Sequence, residues 1–329
     1  MLIITREELR QAVPMSAAMD AVSAAFAQLS AQQAQVPLRP HLSIPPAEGL
    51  ALIMPAYLAE SNALAVKLLT LFPHNLERHN LPTINALVLS FDTSNGLPVS
   101  LVEGSTLTAL RTGAASGVAT RILARKEARV VALFGAGAQS FNQAWAVCEA
   151  RPIERIWLIN RTQAHAERLA EELRAFGSPL PKDVQIATSP QEALAEADVI
   201  CCATASSTPL FNDADLRPGA HINGIGSYRP SMQEVPAQTV GRARIVVDQR
   251  QAAWSEAGDL IIARDQGYLK DDAQIAELGE VILGHAPGRS DAQQITFFKS
   301  VGNAVQDVAV AQIAYTLARA KGLGTDVSI

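Results

Sequence analysis

Val130-Val131-Ala132-Leu133-Phe134-Gly135-Ala136-Gly137-Ala138-Gln139-Ser140 is the stretch whose reading decides the fold. The apolar run gives a buried strand, the glycine-rich residues a turn, and Gln139–Glu149 a helix. Gly135 admits the tight turn, and Gly137 lets backbone come close to a pyrophosphate. The helix start offers free N–H groups and partial positive charge to phosphate. Ser140 replaces the third glycine of the usual fingerprint and is small enough for close packing. A G-x-G alone is weak evidence. This one lies in the required strand–turn–helix context at the head of an alternating series, so a turn without a ligand is the lesser reading.

Outward from that turn, strands are expected at Arg129–Phe134, Arg155–Asn160, Val184–Ala187, Val199–Cys202, Ala220–Gly224 and Arg244–Val247. Helices are expected at Gln139–Glu149, Ala164–Phe176 and Pro190–Glu196. Alternating β and α units with apolar strands imply a parallel sheet covered on both faces, an α/β, Rossmann-type doubly wound domain. The sheet is expected to be complete by about Asp248, with the domain spanning residues 121–299. The chain before it reads as α+β. Thr5-Arg6-Glu7-Glu8 has the form of a capping box, and Met15–Leu29 has helical spacing. Strands are expected at Leu38–Ile44, Leu50–Ala56, Ala63–Phe72 and Thr83–Phe91, with a turn at Asp92–Gly96. Helical stretches follow at Ser105–Leu123 and Ser300–Lys321. The last one returns to the first domain, so residues 1–120 with 300–329 form a second, α+β domain.

Composition narrows the class. The chain has 329 residues, 48% hydrophobic and 18% charged, which excludes a disordered or coiled-coil protein. A net charge of −5 supplies no basic field for nucleic acid. Three cysteines, with Cys201 and Cys202 adjacent, make no disulfide framework. That points to a reducing, cytoplasmic compartment. The N-terminus does not read as a signal peptide, and no uncharged apolar run approaches the roughly 18 residues of a membrane span. The histidines show no metal-ligand spacing, so no metal is expected.

The cofactor's adenosine end can be read from Ile159-Asn160-Arg161-Thr162. An NAD site usually carries a carboxylate about 20 residues after the fingerprint, whereas a nearby Arg suits a 2′-phosphate. Here a guanidinium and a hydroxyl are available and no acid is, so NADP(H) is favoured over NAD(H).

Three cations stand at apolar positions. Lys67 lies inside Ala63–Phe72, Arg111 in a helix-like run of small residues, and Arg39 between two prolines. A buried cation is costly unless it has a partner or faces a ligand. The three could converge on a small anion, Arg being suited to carboxylates. Alternatively each pairs with a buried acid such as Glu103 or Asp307. Taken singly, Arg39 reads as paired, and Lys67 and Arg111 as site residues. His74 reads either as a cleft residue or as a loop histidine.

The chain resembles the ornithine cyclodeaminase/mu-crystallin family over nearly its full length. The specific stretches are Leu107–Ser116, Phe134–Gln139 and Phe298–Asp307, supported by Met54–Tyr57, Asn223–Gly226, Val247-Asp248 and Glu256–Asp259. The resemblance implies a substrate and dimerisation domain beside the Rossmann domain, usually in a homodimer. It places substrate-carboxylate binding on Arg39 and Arg111, catalysis on Lys67, and further pocket positions at Met54 and Thr83. Cofactor contacts are implied at Arg111, at Gly135, Ala136, Gly137, Ala138 and Gln139, and at Asn160, Arg161 and Thr162. Nicotinamide and ribose contacts are implied at Thr204, Ala205, Ile225 and Ser300. One departure is informative. Cyclodeaminases carry an Asp where this chain has Tyr228, a further substrate-pocket position, so the chain is more similar to the ketimine reductases of the family.

The expected activity is therefore NADPH-dependent reduction of cyclic ketimine carboxylates, such as Δ1-pyrroline-2-carboxylate or Δ1-piperideine-2-carboxylate, to L-proline or L-pipecolate. Lys67 would protonate the imine nitrogen, with two nearby arginines favouring release of its proton. The alternatives are an ornithine cyclodeaminase, an alanine-type dehydrogenase or, from another class, a non-catalytic NADPH-dependent binding protein.

Overall fold

The computed structural model describes residues 1–37, 40–270 and 275–328. Backbone contacts divide the chain into two compact units, Met1–Arg111 with Asn303–Ile329, and Thr112–Gly302.

In the second unit the strands Asp183–Ile186, Arg155–Ile159, Val130–Phe134, Val199–Cys202, His221–Gly224, Thr296–Lys299, Arg244–Val247 and Ala276–Glu277 form one sheet in that spatial order, every pair parallel. The first five give the 3-2-1-4-5 order of a dinucleotide-binding sheet. Successive side chains of one strand enter different cores. Val131, Leu133, Val199 and Cys201 pack with Ala144, Val147, Leu169 and Leu173 of the helices Ser140–Ala150 and Gln163–Phe176. Ala132, Phe134, Ile200 and Cys202 pack with Val240, Ala253 and Leu260. Burial on both faces explains why these strands are continuously apolar rather than alternating. The expected doubly wound α/β sheet is present, with strand and helix ends shifted by a residue or two.

One expectation is corrected. The sheet is not complete by Asp248, because Thr296–Lys299 inserts between His221–Gly224 and Arg244–Val247. That strand has four residues, one of them a lysine, and polar residues before it. It therefore lacks the apolar run that marked its neighbours.

The first unit is built on a mostly antiparallel sheet. Ile84–Phe91, Ala63–Leu71 and Gly49–Leu58 form its centre, with Ala34–Gln35 and His41–Ile44 both pairing with Gly49–Leu58. On the other side Pro98–Glu103 pairs with Ile84–Phe91, and Leu2–Ile4 adds in parallel beyond it. The Asp92–Gly96 turn joins two of these strands: Asp92 accepts from Ser94 N at 2.8 Å, and Gly96 has φ +78°. The Thr5–Glu8 capping box is formed and starts helix Arg6–Ala12. Helices Met15–Ser30 and Ala304–Ala320 pack on each other, the latter also on strands Gly49–Leu58 and Ala63–Leu71. Of the expected strand Leu38–Ile44, only His41–Ile44 is described as strand, and Leu38 and Arg39 lie outside the described residues.

Candidate active site

The first unit gathers charge where its sequence is most apolar. In strand Ala63–Leu71 the residues Ala63, Ala65 and Lys67 alternate inward, and Lys67 is 2% exposed. Its ammonium donates to Thr108 Oγ1 at 2.6 Å and to Asp307 Oδ1 at 3.1 Å. Arg111 Nε lies 3.2 Å from that same Oδ1, and Arg111 also donates to Gln306 Oε1. Thr108 and Arg111 are three residues apart on helix Gly104–Leu123, so one helical face presents both. Asp307 and Gln306 stand in the first turn of helix Ala304–Ala320. A capping box fixes that turn: Asn303 Oδ1 accepts from Val305 N at 3.0 Å, and Gln306 Oε1 from Asn303 N at 3.2 Å. The positive end of the helix favours a carboxylate there.

The pairing with a buried acid, weighed as the alternative for these cations, is thus formed by Lys67 and Arg111 together on one carboxylate. Two cations share one anion, and all three side chains are buried. Among the described residues the cluster sets two cations against one carboxylate, which suits it to a further small anion. The arginine does not act on Lys67 unopposed, as the sequence suggested, since Asp307 stands beside both.

The structure sets Met54 directly across the sheet from Lys67, 5% exposed. Thr83 is half-buried and five register positions from the Lys67–Val88 pair, its carbonyl accepting from Phe72 N at 2.8 Å. Arg39 lies outside the described residues. Sequence reasoning did not place Thr108, Gln306 or Asp307 in the site. The signal available for Asp307 was the one that marked Lys67, a charge in an apolar segment.

In the second unit the loops at the carboxyl ends of the parallel strands meet the needs of a dinucleotide. Gly135 has φ +105°, and a Cβ there would stand 2.6 Å from Ala203 O, so only glycine fits. At Gly137 a Cβ would meet nothing within 4 Å. Its exposed backbone leaves room for phosphate beside Ala136, Ala138 and Gln139. Ser140 Oγ, at the third fingerprint position, accepts from Gly137 N at 3.0 Å and holds the loop in shape. At the end of strand Arg155–Ile159, Asn160 Nδ2 donates to Thr162 O at 2.8 Å. Arg161 is exposed and has no ion-pair partner among the described residues.

The loops after the next strands are fastened by buried acids. Glu234, fully buried, accepts from Thr204 N at 2.6 Å, Thr204 Oγ1 at 2.8 Å and Gly226 N at 2.7 Å. Burial pushes its carboxyl up, and nearby Lys299 opposes that rise. Asp259 accepts from Glu234 N at 2.7 Å and pairs with Lys299 at 3.4 Å. Asp248 Oδ2 accepts from Ser300 Oγ, Val301 N and Gly302 N at 2.8, 2.9 and 2.7 Å. Thr204, Ile225 and Ser300 therefore lie on rigid loop starts, Ile225 N donating to Cys202 O at 2.9 Å, while Ala205 is exposed. Tyr228 is 42% exposed, with the Arg229 guanidinium 5.6 Å from its ring centre. Glu234 was not singled out in the sequence, and Asp248 and Asp259, which lie in stretches that carry the family resemblance, were given no role there, because a brace of backbone N–H groups is formed only by the fold. Among the described residues no His/Cys/Asp/Glu group could hold a metal.

An open glycine backbone and a helix start after the first strand of a parallel sheet fit a nicotinamide dinucleotide. Fold and loops together define an oxidoreductase that uses such a cofactor. The chain belongs to the ornithine cyclodeaminase/mu-crystallin family, whose model matches residues 1–322. It is 39% identical over 329 residues to the Δ1-pyrroline-2-carboxylate reductase of Bacillus cereus, covering 99% of each chain. To the ketimine reductase mu-crystallin of Mus musculus it is 34% identical over 282 residues, 85% of this chain and 84% of that one. The structure of Thermococcus litoralis Δ1-pyrroline-2-carboxylate reductase in complex with NADH and L-proline superposes with a TM-score of 0.92. It is 38% identical, with 99% of this chain and 100% of that one covered.

Proposed function

We propose that the protein is an NAD(P)H-dependent reductase of cyclic ketimine carboxylates, taking Δ1-pyrroline-2-carboxylate or Δ1-piperideine-2-carboxylate to L-proline or L-pipecolate. The observation that carries this reading is the buried cluster of Lys67, Arg111 and Asp307, two cations on one carboxylate, in a chain similar from end to end to reductases of that class.

The substrate carboxylate takes up the excess positive charge, held by Arg111 and, as the family resemblance implies, by Arg39. Such anchoring removes the orientational freedom of the imine. The family resemblance assigns Met54 and Thr83 to the substrate pocket, and Tyr228 takes the sequence position at which the cyclodeaminases of the family carry an Asp. When bound, the nicotinamide supplies a hydride to the imine carbon. Lys67 supplies the proton: an Nζ–H bond breaks, an N–H bond forms on the imine nitrogen, and the lysine recovers its proton from water. Gly135 to Gln139 carry the pyrophosphate, Thr204, Ala205, Ile225 and Ser300 the nicotinamide half, and Asn160, Arg161 and Thr162 the adenosine end. The exposed Arg161 supports NADPH over NADH.

The assembly read here is a homodimer. On the sheet of the first unit Ile53, Leu68 and Leu87 form one cross-strand row, 42%, 49% and 46% exposed. A contiguous apolar row of this kind is rarely left to water. Three free, buried cysteines support a reducing, cytoplasmic setting.

The test is cofactor oxidation over a panel of cyclic imines, pyruvate with ammonia, and ornithine. Stoichiometric NADPH oxidation with a cyclic imine is expected. Ammonia release from ornithine without net cofactor turnover, or turnover with pyruvate and ammonia alone, would replace this reading by a cyclodeaminase or an alanine-type dehydrogenase. Lys67→Ala is expected to lower kcat by roughly 100-fold or more, the scale of general acid catalysis. NADPH binding should change by less than about threefold, since the lost contact is not to the cofactor. Retention of most activity would remove Lys67 from its role.

A further inference from the structure

We propose that Asp307 is a positioning residue of the reaction, fixing the Lys67 ammonium as proton donor and the Arg111 guanidinium as carboxylate anchor through a single shared oxygen. The inference rests on the reading of Lys67 and Arg111 given above and adds the residue on which both depend. Asp307 Oδ1 lies 3.1 Å from Lys67 Nζ and 3.2 Å from Arg111 Nε, and its side chain is 1% exposed. Asp307 Oδ2 is buried and has no hydrogen-bond partner among the described residues.

A purely structural ion pair needs one cation for one acid. Here two cations, from a strand and from a different helix, close on one oxygen. The helix start that carries it is already capped by Asn303 and Gln306, so Asp307 is not needed for capping. Among the described residues the charged and titratable groups facing Lys67 are Arg111, from helix Gly104–Leu123, and Asp307, from helix Ala304–Ala320. The flanking strands present Met54 and Val88, which carry no charge. Thr108 gives Lys67 an acceptor but no charge. Asp307 therefore provides the negative charge that favours the ammonium form of Lys67 against Arg111. Its single-oxygen geometry also sets the distance between donor and anchor. A lysine that lost this support would hold its proton over a narrower pH range and would sit less accurately against the imine nitrogen.

The experiment compares wild type and the near-isosteric Asp307→Asn by kcat/KM for the imine against pH, with NADPH binding followed by cofactor fluorescence. The alkaline limb of the variant is expected to move down by about one pH unit or more, the effect of losing an adjacent opposite charge. The deficit should then be about tenfold larger at the alkaline end than at the acid end, with NADPH affinity changed less than about threefold. Parallel profiles with a uniform loss would assign Asp307 to structure alone and overturn the proposal. A second measurement needs no turnover. With 13Cε-labelled lysine, the Lys67 resonance, identified by its loss in Lys67→Arg, should keep its ammonium shift through neutral and mildly alkaline pH in wild type and lose it at lower pH in Asp307→Asn. A wild-type titration near neutrality, or the same titration in both proteins, would overturn the proposal. If no imine is reduced, the functional reading fails, and the lysine titration still decides the role of Asp307.

Discussion

Arg161 is the residue on which the proposed preference for NADPH rests. It is exposed, lacks an ion-pair partner among the described residues, and stands where a carboxylate would otherwise take the ribose hydroxyls. A charge-assisted bond to a 2′-phosphate is worth about 1.5–3 kcal/mol, so Arg161→Ser should lower kcat/KM for NADPH by roughly 10- to 100-fold. NADH has no such phosphate, and its kcat/KM should change by less than about threefold. Equal losses with both cofactors would show that Arg161 does not read the phosphate. Residues of this kind were legible in the sequence because a charge out of place is a local fact. Lys67 and Arg111 stood out for the same reason. The sharing of Asp307 between them was not legible, since Lys67 and Asp307 are 240 positions apart and only the fold brings them to 3.1 Å.

The turn after strand Val130–Phe134 separates two uses of glycine within one element. At Gly135 the backbone has φ +105° and a Cβ would meet Ala203 O at 2.6 Å, so Gly135→Ala strains the loop and pushes on the residue that follows strand Val199–Cys202. A destabilisation of about 2 kcal/mol or more is expected in chemical unfolding. At Gly137 nothing among the described residues lies within 4 Å of an added Cβ. Gly137→Ala should therefore keep stability within about 0.5 kcal/mol while weakening cofactor binding, because the methyl enters the space left for phosphate. Equal stability effects at both positions would contradict this division. The same elements show where sequence patterns give out. Val199–Cys202 and Thr296–Lys299 are equally short and equally buried, yet only the first was expected. The first is wholly apolar. The second ends in Lys299, whose burial is made tolerable by Asp259 at 3.4 Å, a partner 40 positions away in the chain.

For the whole molecule the alternation of strands and helices made the doubly wound sheet legible, because burial on both faces leaves its strands uniformly apolar. The antiparallel sheet was legible in its strands and not in the apolar row that its outer face presents. Helix Ala304–Ala320 takes the inward side chains of strand Ala63–Leu71, and the opposite face presents the Ile53, Leu68 and Leu87 row. Leu68 is the middle member, paired to Ile53 on one side and Leu87 on the other. A second copy of the chain presenting the same row would bury all three, as an isologous dimer requires. Leu68→Lys adds a charge to that row without entering the core of the monomer, since Leu68 is 49% exposed. A charge left unpaired in an apolar interface is costly enough to break association. The variant should sediment with about half the wild-type mass at micromolar concentration and keep its circular dichroism. A wild-type protein that sediments as a monomer, or a variant whose mass is unchanged, would remove this face from the interface.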